Sequence, residues 1–526
     1  MARRWLAVFQ PCNSVRTASW KRHMPTLRVA GLSACAALVF GCATGNRATQ
    51  TTATPANVNP PAKSLDRSPI SLVAHQDGSA VGESRQLSAE YSSRGKPRAA
   101  IAELATTVES LSQLEALALE LNPNLRRLNQ QVAAAQARSR YVDKLPDPTV
   151  GANIFGHPIE TAAGSQRANI SVKQMIPWLS RLDAQSQQAC FEALTLRQDF
   201  GVERLKVIGD VRSLWYRLYV LGKQIETSRA NQELLESLTE VANARVATGN
   251  ASQGDVLLGT LELSKLEEQI LTFEQQVVSN KAELNRIVGR DADHPIDVPR
   301  QLTASLPEWS HPMLRQVAQE RQPAIAAAQL RTQAARWGVE VARLKRRPDV
   351  SLSANWFAID DNRPRPSVVD VGRDAWSIGA QVSVPLWRKK YDAIEQEARW
   401  NYFATHASTE VVQQRYDSLL LDLWEQAKTA DETSKLYRET ILPQARQTLQ
   451  ADQQSYVNGT VEFDRVVRDF RNILTLELGD HRAIGQLRTA LARIQQAVGA
   501  DLPSSQPDTL PLPAPVPSDE FNGQTR

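Results

Sequence analysis

Four short stretches of the chain alternate apolar with small or polar residues, and all four are set among long tracts whose apolar positions recur at helical spacing. They lie at about 149–155, 168–176, 350–358 and 376–384. The first and third have the same design, a proline ending a helical pattern and then a period-two run, in KLPDPTVGANIFG (144–156) and RRPDVSLSANWFA (346–358). The third stretch puts Val350, Leu352, Ala354, Trp356 and Ala358 on one face and Ser351, Ser353 and Asn355 on the other. The fourth alternates Trp376, Ile378, Ala380, Val382 and Val384 with Ser377, Gly379, Gln381 and Ser383. Such alternation, with one face small and polar, predicts strands of a lipid-facing barrel. In the second stretch Ile170, Val172 and Ile176 repeat it, with Gln174 in the apolar register.

Behind each strand pair a helical pattern runs without a break, over about 182–246 and 389–456, which at 1.5 Å per residue predicts helices of about 95 to 100 Å. No compact domain holds such a helix. After a turn the next helix carries a heptad series, Leu263, Leu266, Ile270, Phe273, Val277, Asn280, Leu284 and Ile287, the spacing of a coiled-coil seam. Its later counterpart keeps Phe470, Ile473, Ile484, Leu487, Leu491 and Ile494 but has Glu477 and Asp480 at the two intervening seam positions.

These elements occur twice. Pro123 pairs with Pro323 and Pro148 with Pro348 at a spacing of 200 residues, and Gly249 pairs with Gly459 at 210. The body therefore divides into two structural repeats, 106–300 and 301–500, each reading helix, strand, strand, very long helix, turn, long helix.

The flanks are of another kind. Arg3, Arg4, Arg16, Lys21 and Arg22 precede the apolar run VAGLSACAALVFGC (29–42), which is too short to span a bilayer as a helix and fits an export signal. Its end, Leu38-Val39-Phe40-Gly41-Cys42, resembles a bacterial lipobox, so 1–41 reads as a lipoprotein signal peptide and Cys42 as the lipidated residue. Cys35, after Leu32-Ser33-Ala34, is the alternative. Cleavage before Cys42 leaves Cys42 and Cys190, and acylation of Cys42 then leaves no intrachain disulfide. Residues 42–105 read as a flexible tether, and 501–526 as a disordered proline-rich tail. Beyond the signal no run of 18 apolar residues occurs, so any crossing of a membrane falls to the strands.

Composition removes several function classes. Lys and Arg number 61 against 57 Asp and Glu, a formal charge of +4 spread along the chain, which gives no nucleic-acid footprint. The 7 His and 4 Met form no cluster with ligand spacing, so no metal or other cofactor is expected. No activated nucleophile, phosphate-binding glycine loop or paired-carboxylate site is present, and an enzyme is not expected.

Four strands cannot close a bacterial barrel, whose minimum is eight, and open strand edges cannot face lipid. The chain must oligomerise. Two copies give eight strands, too narrow for a conduit, whereas three give twelve and an aqueous lumen. The fold class is thus mainly α with a small membrane β-barrel portion: a long antiparallel helical coiled-coil barrel plus four strands per chain, closing as a trimeric twelve-stranded barrel.

Over 111–499 the chain resembles the outer-membrane efflux proteins of the TolC type. The resemblance rests on the duplicated element order and on Leu114-Glu115-Ala116-Leu117-Ala118-Leu119 followed by Asn122-Pro123. It rests also on the strand ends Ile176-Pro177-Trp178 and Val384-Pro385-Leu386-Trp387, and on the two turns RVATGNASQGD and YVNGTVEFD. It implies a homotrimer in the outer membrane with a periplasmic helical tunnel. Such a protein is a passive exit duct for a periplasmic adaptor (membrane fusion) protein and an inner-membrane pump of RND or ABC type. A type I protein secretion duct and a periplasmic coiled-coil scaffold lipoprotein are the alternatives. The resemblance also places Arg245, Gly249, Asp255, Tyr456 and Gly459 at the periplasmic tip, where adaptors dock, and Asp464 at the tunnel constriction. Some relatives carry a second aspartate three residues on, where this chain has Val467. From the residues alone, glycine stops one helix at each turn and Ser, Thr or Asp can cap the next. Trp178 and Trp387, just past strand ends, suit the membrane interface.

Overall fold

The computed structural model describes residues 110–161, 163–302, 305–361, 372–500 and 502. The signal, Cys42, Cys35, the tether and the tail beyond 502 lie outside them. The described chain runs α1 (Leu111–Leu121), α2 (Pro123–Tyr141), β1 (Thr149–Thr161), β2 (Gly164–Ile176), α3 (Leu179–Ala247) and α4 (Gln253–Val288). The same order returns as α5 (His311–Arg321), α6 (Pro323–Leu344), β3 (Asp349–Asp360), β4 (Ala375–Ser383), α7 (Arg388–Leu436), α8 (Leu442–Val457) and α9 (Phe463–Val498).

The two prolines that mark the duplication begin α2 and α6, where a missing N–H costs nothing. The residue before each does the same task. Asn122 donates Nδ2 to the Ile287 carbonyl at 2.7 Å, and Gln322 donates Nε2 to the Gln496 and Ala497 carbonyls at 3.0 and 2.6 Å. Each therefore closes the C-terminus of the long return helix of its own copy. Gly289 and Gly499, at φ +87° and +74°, end those helices in the left-handed region and lie against the backbone beside Pro123 and Pro323.

The helices bury their apolar stripes against one another. α3 packs on α2, α4, α6 and α9, and α7 packs on α6 and α9. At 69 residues α3 spans about 100 Å. On α4 the seam residues Leu266, Ile270, Phe273, Asn280, Leu284 and Ile287 are all buried, as are Phe470, Ile473, Ile484, Leu487, Leu491 and Ile494 on α9.

Glu477 and Asp480 do not leave a gap in the second seam, because facing helices supply donors. Asp480 accepts from Ser434 Oγ at 2.7 Å and Arg438 Nε at 3.0 Å; Glu477 accepts from Asn231 Nδ2 at 3.0 Å and Arg446 Nη2 at 2.7 Å. Deeper in the bundle Arg212, 1 % exposed, donates Nε to Glu115 Oε1 at 2.6 Å and Nη1 to Gln495 Oε1 at 2.7 Å, tying α1, α3 and α9 together.

One expected element differs. The helix predicted as continuous over 389–456 contains a π-helical turn, Tyr437–Ile441, between α7 and α8. Pro443 has no N–H to give the carbonyl four residues back. The Leu442 N–H instead bonds to the Tyr437 carbonyl, five residues back.

Cys190, on α3, is the only cysteine among the described residues. None of the described helices is long and apolar enough to cross a membrane.

Candidate functional site

The candidate site has two parts, the sheet at one end of the helices and the paired turns at the other. The sheet is antiparallel in the order β1-β2-β3-β4, so the hairpins of the two copies join through β2 and β3. Register brings the apolar residues into rows: Val150, Val172, Ala354 and Ile378 lie across the four strands, and Ala152, Ile170, Trp356 and Trp376 beside them. This face is bare. Ile154 is 87 % exposed, Ile378 76 % and Trp376 73 %, where a globular sheet would cover such residues.

Gln174 stands in the apolar register, as the sequence indicated, but its amide folds back to the Pro146 and Met175 carbonyls, both at 2.8 Å. The opposite face carries Ser171, Lys173, Ser353, Asn355, Ser377 and Gln381. Strands β1 and β2 run past the expected ends, to Thr161 and from Gly164. Gly156 and Pro158 break the alternation there, and the ladder resumes at Ile159 after a register shift. Trp178 and Trp387 stand at the base of the sheet, 38 % and 75 % exposed, the former under the Arg347 guanidinium at 5.5 Å.

At the far end, α3 and α8 terminate identically. Gly249 and Gly459 take φ +73° and +77°. The next N–H, of Asn250 or Thr460, reaches the Arg245 or Ser455 carbonyl at 2.8 or 3.0 Å, and the glycine N–H reaches Val246 or Tyr456 at 3.0 or 2.9 Å. This double bond pattern needs a left-handed residue at the glycine.

The helices that follow differ. Ser252 caps α4 by accepting from the Gly254 N–H at 2.9 Å, with Asp255 in the first turn. In the second copy Glu462 is the cap residue and makes no side-chain bond, so the expected Ser, Thr or Asp cap is absent there. The Thr460 hydroxyl is drawn back to the Ser455 carbonyl at 3.0 Å.

The two turns meet through side chains. The Arg245 guanidinium lies 4.5 Å from the centre of the Tyr456 ring, and its Nη2 donates to the Asn250 carbonyl at 3.0 Å. Tyr456 is 4 % exposed and its ring packs on Phe463 at 5.3 Å. Burial, with the charge of Asp255 added, pushes its hydroxyl above the usual tyrosine range against the pull of Arg245. Arg245, Asp255, Tyr456 and Gly459 are thus brought together, while Gly249 stands free of neighbours at its Cα.

Asp464 lies apart from this stack, half exposed in the first turn of α9 and ion-paired with Arg468 at 3.1 Å. Val467, at the position where some relatives have a second acid, is fully buried.

A carboxyl pair that the sequence did not single out lies one turn further in. Asp452 on α8 accepts from Arg465 Nε at 2.7 Å and is coupled to Asp469 on α9, whose buried Oδ2 has no hydrogen-bond partner among the described residues. Burial, the hydrogen bond and the charge of Asp452 push the Asp469 carboxyl upward. The bond from Asp469, with Arg465, holds Asp452 down. One proton between two acids has this effect. Among the described residues no group of His, Cys, Asp and Glu is arranged to hold a metal ion.

The family model described as outer membrane efflux protein matches residues 114–290 and 314–500, one stretch in each copy. No curated protein matches the sequence. Among solved structures, the outer-membrane channel OprN is similar at 19 % identity and a TM-score of 0.64, over 74 % of this chain and 89 % of its own. VceC of Vibrio cholerae is similar at 19 % identity and 0.63, over 74 % and 96 %. The MtrE channel of Neisseria gonorrhoeae, in its open state, is similar at 15 % identity and 0.60, over 74 % and 89 %. These likenesses show the fold, which is shared with outer-membrane channels. By the match over both of its copies the chain belongs to the outer membrane efflux protein family, and it is an exit duct of that kind.

Proposed function

We propose that three copies of this chain close a twelve-stranded barrel in the outer membrane, with their helices forming a periplasmic tunnel. One observation carries this reading: a sheet apolar on its bare face, with β1 and β4 each having one strand neighbour among the described residues. Unpaired strand amides in lipid cost several kcal/mol each, about enough in one edge to forbid a lone sheet there. Uncovered apolar residues on the helices support the same assembly. Leu257, Leu261, Leu271 and Val278 on α4 and Trp400, Phe403 and Val411 on α7 are exposed.

In this reading the duct is passive. An inner-membrane pump supplies the energy and a periplasmic adaptor docks on the tip formed by Arg245, Gly249, Asp255, Tyr456 and Gly459. Asp464 from three subunits narrows the tunnel, and acyl chains on Cys42 anchor the chain. Heat-modifiable trimers in the outer-membrane fraction that give single-channel currents in planar bilayers are expected. Monomers in the soluble periplasmic fraction would overturn the proposal. Radioactive palmitate should label the protein but not Cys42→Ser; labelling lost in Cys35→Ser instead would move the anchor.

A further inference from the structure

The polar face of the sheet carries few charges, and one of them stands toward the base of the sheet, three residues from the end of β2. Lys173 on β2 stands opposite Thr149 on β1 and Ser353 on β3, and its Nζ donates across β3 to Gln381 Oε1 at 3.1 Å. Gln381 is neutral, so this bond orients the ammonium without cancelling it.

The other charges of the described strands also lie toward one end or the other. At the base Asp349 is held by Arg181 through two bonds of 2.8 and 2.9 Å, and at the far end Arg167 pairs with Asp360, with Glu160 near the β1–β2 turn. Elsewhere the face is neutral, as at Ser171, Asn355, Phe357 and Ser377. Lys173 is exposed and carries no packing task that would explain a cation there.

We propose that Lys173 makes the strand-lined segment of the duct favour anionic solutes, three copies forming a ring of ammonium groups in the lumen. The inference rests on the trimeric barrel proposed above and adds to it the charge class that the barrel passes most readily. The physical reason is range. At about 0.1 M salt the Debye length is about 10 Å, so the field of the ring reaches well into the water-filled lumen, whereas at about 1 M it falls to about 3 Å and hugs the wall. A fixed ring of one sign on a neutral wall concentrates counter-ions in the lumen. The ring is also distinct from the tip, where Asp464 stands near the opposite end of helices about 100 Å long.

The test is the reversal potential of purified full-length trimers in planar bilayers under a potassium chloride gradient. Lys173→Gln should lower the chloride-to-potassium permeability ratio about twofold near 0.1 M salt and leave it almost unchanged near 1 M. Lys173→Glu should lower it further, and Gln381→Arg, which adds a second basic ring beside the first, should raise it. The same shifts should appear in Asp464→Asn channels, since their origin is the sheet. Channels of normal conductance whose selectivity ignores Lys173→Gln and Lys173→Glu, or responds only when Asp464 is intact, would overturn the inference and leave the duct standing. Parent protein that forms no channel at all would overturn the duct and the inference together.

Discussion

In the helical part of this molecule most apolar seam residues turn inward and the buried Arg212 has an acidic partner; in the sheet the apolar face is the bare one. Leu284 on α4 and Leu491 on α9 are 0 % and 1 % exposed, while Ile154 and Ile378 on the strands are 87 % and 76 % exposed. Neither region is anomalous by itself. The difference identifies the solvent each one meets, water around the helices and hydrocarbon around the sheet. It also explains why one chain holds a buried arginine and a bare tryptophan without contradiction.

The largest expected break in this contrast is at the buried ion pair. Arg212→Ala leaves Glu115 charged in the core and should cost about 3 to 5 kcal/mol, whereas Arg212→Met with Glu115→Leu should cost far less. Denaturant unfolding of detergent-solubilised protein measures both. On the sheet, Ile378→Arg puts a charge on the lipid face and should cost about 2 to 4 kcal/mol and reduce assembled trimer, while Gln381→Arg on the other face should assemble normally. Equal tolerance of the two would remove the distinction between faces.

Two further effects belong to the helical end. Asp469 binds its proton more tightly in the folded chain than in the unfolded one, so its contribution is present at acid pH and is lost as pH rises from the ordinary aspartate range through its raised value. Asp452 runs the other way, contributing above that range and losing its contribution as pH falls through its lowered value. The pair should therefore hold α8 against α9 best while one proton remains. Hydrogen exchange across 442–498 should speed up with pH more in the parent than in Asp469→Asn, after correction for intrinsic rates. Matching pH profiles would show that no proton is shared. The smallest expected effect is at the tip. A double-mutant cycle of Arg245→Ala and Tyr456→Leu should return a coupling of about 0.5 to 1 kcal/mol for the cation over the ring.

Local signals were legible in the sequence, and signals that depend on a distant partner were not. Period two placed all four strands, because one exposed and one polar face leave their mark residue by residue. It lost β1 after Phe155, where Gly156 and Pro158 hide a strand that continues only because β2 still offers ladder partners. Heptad spacing placed both return helices and located Glu477 and Asp480 as interruptions. What satisfies them comes from Asn231, Ser434, Arg438 and Arg446 on other helices, beyond the reach of any local pattern.

The same division holds at the tip. Gly249 and Gly459 were visible as helix stops. The contact of Arg245 with Tyr456 joins residues 211 positions apart and has no local signature. The π turn at Tyr437–Ile441 had one hint, Pro443, which permits a kink without specifying it. Lys173 had a clear signal that went unused, a lone charge in the polar register of a strand.

The central claim is that the bare apolar face of the sheet meets lipid and the opposite face meets water. Single nitroxide labels at Ile378, Val382, Ser377 and Gln381, in protein reconstituted into liposomes, test it most directly by relaxation with oxygen, which enters the bilayer, and with a water-soluble nickel chelate, which does not. The account predicts that labels at 378 and 382 respond to oxygen and those at 377 and 381 to nickel, alternating along β4. Labels that respond to the nickel chelate at all four positions would contradict it, and the sheet would then not be a membrane barrel.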